Sequence, residues 1–240
     1  MNKQSNRYIF IYSSVMVILV AAVLAIASIV LKPFQDKNVE IEKKSNILRS
    51  VGLIAPQNVA SKDKWTEDAY SKHIVNTFVI DSLGNPKKGI DAFSIDMKAE
   101  IAKPGKDRDL PVFEYKDDKG QVLYIIPVRG RGLWGPIWGY VSLESDFNTI
   151  AGTTFDHESE TPGLGAEINT PAFQAQFKGK KIFEGNTFTS IKVMKGGATP
   201  GNMHEVDAIS GGTLTSRGLE AMLLDCLRPY EYYFQKNKKK

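Results

Sequence analysis

Ser210-Gly211-Gly212-Thr213-Leu214-Thr215-Ser216-Arg217-Gly218-Leu219-Glu220-Ala221-Met222-Leu223-Leu224-Asp225-Cys226-Leu227 joins a glycine- and hydroxyl-rich turn to an amphipathic helix. Leu219, Met222, Leu223, Cys226 and Leu227 keep the i, i+3, i+4, i+7, i+8 spacing of one buried face, which predicts a helix over 216–227 ended by Pro229. Ahead of it, Gly211 and Gly212 let the backbone pass close to a bulky anion and take up positive φ. Ser210, Thr213, Thr215 and Ser216 crowd hydroxyls into the same turn. A helix N-terminus offers free N–H groups and the positive end of a dipole, a natural seat for a phosphate. An ordinary turn with a Ser/Thr helix cap has the same composition, and the local residues do not decide between the two. Neither a P-loop nor a Rossmann fingerprint fits, because no lysine follows the glycine pair and no second-strand aspartate sits at the usual offset.

Outward from this helix the chain turns to strands. Val112 to Lys116 alternates, placing Phe113 and Tyr115 on one face. Asp117-Asp118-Lys119-Gly120 reads as a turn into Val122–Val128, making a hairpin. The stretches 73–83, 90–95, 137–143, 150–155 and 188–194 are further β-prone runs, and Thr170-Pro171 opens a second short helix to Phe177. Strands with a few helices and no internal repeat predict a single α+β domain.

The N-terminus reads differently. Tyr8 to Leu31 carries no charge and lies between Lys3, Arg7 and Lys32. As a helix it spans about 36 Å, enough to cross a hydrocarbon core of about 30 Å with some tilt. Pro33 is expected to stop it, and Tyr8 and Tyr12 fit an interfacial aromatic anchor. Ala25-Ile26-Ala27 resembles a signal cleavage site, but a signal core usually runs only about 7–15 residues. The expected organisation is an anchor over 1–34, a helical stalk over 35–60 carrying Ile47, Leu48 and Val51 at helical spacing, and a domain over 61–240. Lys3 and Arg7 on one side face Lys32, Lys37, Lys43 and Lys44 on the other, so charge alone leaves the orientation open.

Composition removes several chemistries. The 240 residues are 42% hydrophobic and 24% charged, ordinary values for a folded domain, and the net charge of +4 is mild. Lys236, Lys238, Lys239 and Lys240 supply much of it as a solvated tail, so no nucleic-acid partner is expected. Cys226 is the one cysteine, which excludes an intrachain disulfide, a cysteine-held iron–sulfur cluster and a thiolate zinc site. Redox chemistry in this chain would need an organic cofactor.

Two further segments stand out. Gly130-Arg131-Gly132-Leu133-Trp134-Gly135-Pro136-Ile137-Trp138-Gly139-Tyr140 interleaves glycines with aromatics, suited to a wall against a planar ring or equally to a strand bend with core tryptophans. Asp156-His157-Glu158-Ser159-Glu160-Thr161-Pro162-Gly163-Leu164-Gly165 contains the type II turn signal Pro162-Gly163. Its single histidine among carboxylates reads as a polar loop rather than a metal site.

Asp207-x-x-Ser210-Gly211-Gly212-Thr213 resembles the flavinylation motif of a family of FMN-binding domains that carry the flavin in a phosphoester bond to threonine. Thr161-Pro162-Gly163-Leu164-Gly165 and the Gly-Leu-Trp-Gly-Pro segment resemble its companion signatures. With the anchor, the chain is similar over nearly its full length to the C subunits of Na⁺-translocating NADH:quinone reductases, a family of covalent FMN-binding proteins. The resemblance implies FMN esterified to Thr213 by a flavin transferase, with Asp207 presenting the loop. It implies that Gly211 and Gly212 leave room for the phosphate, that Ser210, Leu214 and Thr215 contact it, and that Trp134, Leu164 and the Thr161-Pro162-Gly163 turn border the ring. The family usually has alanine at the Gly212 position; the missing methyl leaves esterification possible but frees the loop.

By the same resemblance the chain has no catalytic or metal-binding residues of its own and works among roughly half a dozen different subunits. Electrons from NADH would pass through its flavin toward another flavin and quinone, with Na⁺ export coupled elsewhere. The expected place is the bacterial inner membrane, in contact with lipid through a single pass, with the domain on the periplasmic side. The equivalent subunit of the ion-translocating ferredoxin:NAD⁺ reductase fits the same motifs, and a cofactor-free membrane-anchored binding module is the alternative of another class.

Overall fold

The computed structural model describes residues 5–238; Lys3 and the tail residues Lys239 and Lys240 lie outside them. The chain divides into two units between Lys43 and Lys44. In the first, helix α1 (Asn6–Ser50, which ends in the second unit) exposes its apolar run on every side, and this run is long and apolar enough to cross a membrane. Tyr8 and Tyr12 stack one turn apart, ring centroids 6.1 Å from each other. The stop expected at Pro33 does not occur, since Pro33 lies inside α1. Proline removes one amide donor and crowds one carbonyl, and the residues on either side carry the helix through.

In the second unit, the last turn of α1 buries Asn46, Ile47, Leu48 and Ser50. Its terminal carbonyls, which have no partner within a helix, accept side-chain hydroxyls. Thr154 Oγ1 donates to Asn46 O at 3.0 Å and Ser142 Oγ to Ser50 O at 2.6 Å. Helix α2 (Lys62–His73) is capped by Ser61, whose hydroxyl accepts the Lys64 N–H, and runs directly into β1 (Ile74–Ile80). His73, read as the start of a strand, therefore closes a helix. After β2 (Pro86–Lys87), the run 90–95 forms no strand, because the Asp91 carboxylate accepts the Phe93 N–H and caps a single 3₁₀ turn over Ala92–Ser94. Helix α3 (Met97–Ile101) follows.

The hairpin forms as read: β3 (Leu110–Lys116) and β4 (Val122–Arg131) pair antiparallel around the turn at Gly120. With β5 (Pro136–Leu143) and β6 (Ile150–His157) they build a six-stranded antiparallel sheet in the order β2-β1-β3-β4-β5-β6. Period-two alternation splits its residues between two cores. Phe113, Tyr115, Leu123 and Ile125 meet Ile47 on one face; Val112, Ile126, Val128 and Val141 meet Leu219, Met222 and Leu223 on the other.

Thr170 caps α4 (Pro171–Ala175), shorter than the helix expected to reach Phe177. The run expected as one strand over 188–194 is instead divided. A small hairpin, β7 (Phe183–Glu184) and β8 (Thr187–Phe188), ends before Ser190, whose φ of 60° breaks the extended backbone. Then β9 (Lys192–Met194) pairs in parallel with β10 (Glu205–Asp207). Helix α5 (Thr213–Leu227) is the amphipathic helix, starting three residues earlier than its apolar spacing predicts. It lies over the C-terminal half of β4. A β-carbon at Gly130 would sit 2.6 Å from Met222 Cβ, and one at Gly218 would collide with the carbonyl oxygen of Arg131. Pro229 follows in a 3₁₀ turn, then α6 (Glu231–Asn237), with the buried Tyr230 hydroxyl donating to Pro111 O at 2.9 Å.

Candidate functional site

The close passage of α5 against β4 sets the first turn of the helix beside the β4–β5 loop. That loop is tight, closed by Gly132 N–H donating to Gly135 O at 2.8 Å, and it carries Leu133 and Trp134 at its tip. Trp134 is 66% exposed, so it is no core tryptophan. Trp138, farther along β5, instead lies under the Arg129 guanidinium, 5.7 Å from its carbon to the ring centroid. On another side of the helix end runs the turn after β6. Leu164 N–H donates to Thr161 O at 3.1 Å, and Gly163 takes φ 75° at the third position, as a type II turn requires. Leu133, Trp134, Glu160, Thr161, Leu164, Gly165 and the stretch 211–215 line one shallow groove.

The N-terminus of α5 is open. Gly212 occupies the N-cap position and no side chain caps the helix, so a Ser/Thr-capped turn does not form. Gly211 sits at φ 74°, and a β-carbon there would lie 2.5 Å from Leu164 Cδ2. Glycine is thus needed for the backbone sign, and its missing side chain lets Leu164 close over the turn. Gly212 is crowded differently: a β-carbon would lie 2.9 Å from Ile209 Cγ2. The open amides, the positive helix end and the glycine-lined floor suit a phosphate, while Trp134, Leu133, Leu164 and Leu214 present exposed apolar surface around it.

The hydroxyls sort themselves by partner. Thr215 and Ser216 are each 1% exposed. Thr215 Oγ1 donates to Glu160 Oε2 at 2.5 Å, and Ser216 Oγ accepts the Ile209 N–H at 3.1 Å. Thr213, the first residue of the helix, is half-buried, and Ser210 is exposed. Thr215, expected to reach the phosphate, therefore lines the groove with its hydroxyl turned toward Glu160.

Glu160 joins the walls. Its Oε1 accepts the Trp134 N–H at 2.8 Å while Oε2 takes the Thr215 hydroxyl. Its own N–H donates to His157 Nδ1 at 3.3 Å. Two glycines make the space, since a β-carbon at Gly132 would lie 2.5 Å from Oε1 and one at Gly165 would overlap Oε2. Burial pulls this carboxyl upward. The Thr215 hydroxyl, the Trp134 and Gly135 amides and nearby His157 more than offset it, leaving the group below the usual carboxylate range.

Of the residues expected at the site, Trp134, Thr161, Leu164, Gly211, Gly212, Thr213, Leu214 and Thr215 come together. Pro162, Gly163, Ser210 and Asp207 do not line the groove. Asp207 ends β10, and its carboxylate accepts the Ala198 N–H at 2.6 Å, bracing the neighbouring Gly196-Gly197 loop.

The FMN-binding domain family matches residues 132–228, the segment that contains all three walls of the groove. The chain is 34% identical to the NqrC protein of the Na(+)-translocating NADH-quinone reductase of Pasteurella multocida, over 82% of this chain and 80% of that one. It is 32% identical to the Vibrio anguillarum protein of the same name, over 82% and 81%. The chain belongs to the NqrC family of Na⁺-translocating NADH-quinone reductase subunits. Its fold agrees with the crystal structure of the Parabacteroides distasonis member, with a TM-score of 0.75 and 41% identity, covering 85% of this chain and 96% of that one. Shewanella oneidensis NqrC superposes with a TM-score of 0.69 at 28% identity, covering 83% and 97%.

Two groove residues escaped the sequence reading in their roles. Glu160 was visible only as one carboxylate of a polar loop, and Leu133 only as part of the glycine–tryptophan segment. The signal for Glu160 was its place immediately before Thr161-Pro162-Gly163, between two glycines that fold onto it.

Proposed function

We propose that this subunit is a membrane-anchored electron relay whose FMN is held in a phosphoester to Thr213. The observation that carries the reading is the convergence of three separate segments on one groove at the uncapped start of α5, with Thr213 the half-buried hydroxyl at its edge. Thr213 Oγ1 would form the P–O bond, losing its proton as the leaving group of the transferase's activated flavin phosphate departs. The open amides of the first helical turn would hold the phosphate charge, and Trp134, Leu133 and Leu164 would border the ring and keep water from that side. When bound, FMN supplies the electron-transfer chemistry. The chain's own residues supply position and local polarity.

The apolar run of α1 would hold the subunit in the inner membrane by a single pass in lipid, with the domain on the periplasmic side. Within the complex its flavin would accept electrons that entered as NADH and pass them toward quinone, Na⁺ export being coupled in other subunits. No catalytic group beyond the cofactor is assigned to this chain. The test is in-gel flavin fluorescence of the denatured chain after coproduction with a flavin transferase. Wild type and Thr215→Ala are expected to give a fluorescent band and Thr213→Ala none; a band that survives Thr213→Ala and disappears with Thr215→Ala overturns the assignment.

A further inference from the structure

We infer that Glu160 is the positioning residue of the flavin site: by reach rather than by charge, it fixes the Trp134 wall against the turn of α5 that carries Thr213. The inference rests on the flavin reading but concerns a residue which that reading does not use.

Trp134 sits at the tip of a two-stranded loop with most of its surface in solvent. Packing therefore does little to hold it, and its anchor to the rest of the groove is the 2.8 Å hydrogen bond from its N–H to Glu160 Oε1. The other carboxylate oxygen is committed to Thr215 Oγ1 in the first turn of α5. Glu160 itself is only 5% exposed, and glycines at 132 and 165 clear room for its oxygens from two sides. A single buried side chain thus spans from the ring-facing wall to the helix end, with one oxygen on each. The same arrangement withdraws the Thr215 hydroxyl from the groove, leaving Thr213 as the helical-turn hydroxyl at its edge.

Reach and charge separate cleanly in two variants. Glu160→Asp keeps the charge but draws the oxygens back by one methylene, so it cannot hold both partners. Glu160→Gln loses the charge but keeps the reach: its amide oxygen accepts the Trp134 N–H and its amide nitrogen donates to Thr215 Oγ1.

The first readout needs no flavin. In the full chain in detergent, with Trp65→Phe, Trp138→Phe and Thr213→Ala, Trp134 is the sole fluorophore of its kind. Its fluorescence anisotropy is expected to fall with Glu160→Asp and to stay at the parent value with Glu160→Gln. The second readout uses the chain with Thr213 intact, coproduced with a flavin transferase. Flavin absorbance maxima are expected to shift with Glu160→Asp and not with Glu160→Gln. The inference is overturned if Glu160→Asp matches its parent in both readouts, which leaves Glu160 a purely structural role, or if Glu160→Gln departs as far as Glu160→Asp. A parent chain without flavin would count against the flavin reading, and the anisotropy would still decide this one.

Discussion

Gly218 brings the backbone of α5 against the carbonyl oxygen of Arg131, the last residue of β4, at a separation that leaves no room for a β-carbon. This contact places the first turn of the helix next to the Gly132–Gly135 loop. Alanine at 218 would gain about 1 kcal/mol of helix propensity but must push the helix off the strand. The expected net effect of Gly218→Ala is a loss of about 2 kcal/mol in stability, read as a lower urea midpoint, together with a lower yield of flavinylated chain.

Protonation of Glu160 gives a pH dependence of defined sign. The folded carboxyl lies below the usual range, so the unfolded chain binds the proton more readily. The stability linked to this group is present above its unfolded value, near 4.5, and is lost as pH falls through the lower folded value. Urea unfolding of wild type and Glu160→Gln across pH 3 to 7 is therefore expected to show the wild-type advantage shrinking below about pH 4.5. An advantage that grows on acidification would contradict a hydrogen-bonded carboxylate at this position.

Ser190 offers a stabilising substitution. It adopts φ 60°, is 2% exposed, and its Oγ is the buried side-chain polar atom without a hydrogen-bond partner among the described residues. Glycine relieves both the left-handed strain and the unpaired hydroxyl. Ser190→Gly is expected to raise stability by about 1 kcal/mol, measurable as a higher thermal midpoint.

Cys226 should be inert in the native chain. It is 3% exposed, burial pushes its thiol up to about 11, and its Sγ donates to Arg129 O at 3.2 Å. Thiol-reactive reagents at neutral pH are expected to label it only after denaturation; rapid labelling of the folded protein would refute its burial between α5 and β4.

Legibility in the sequence followed the range of the interactions. Phe113 and Tyr115 could be assigned to one face because strand alternation is local, and the core face of α5 could be read from Leu219 to Leu227 for the same reason. Pro33 misled because a proline's cost is local, whereas helix continuation depends on many residues around it. Asp91 and Ser190 broke expected strands through a side-chain cap and a single dihedral, neither of which hydrophobic spacing encodes. At the site, the motifs located most of the groove but gave no direction to the Thr215 hydroxyl, whose acceptor is 55 residues away in sequence. Glu160 was hidden likewise, since its partners Trp134 and Thr215 lie on opposite sides of it in the chain and meet only in the folded domain.

The groove's walls come from residues 133–134, 160–161, 164–165 and 211–215, so it does not exist in any single stretch of the chain. A modifying enzyme that recognises the assembled groove must act after β4, β6 and α5 have packed. Attachment of the cofactor would then double as a certificate of folding: misfolded copies would remain colourless, and flavin content would measure the fraction of chains that reached the native state.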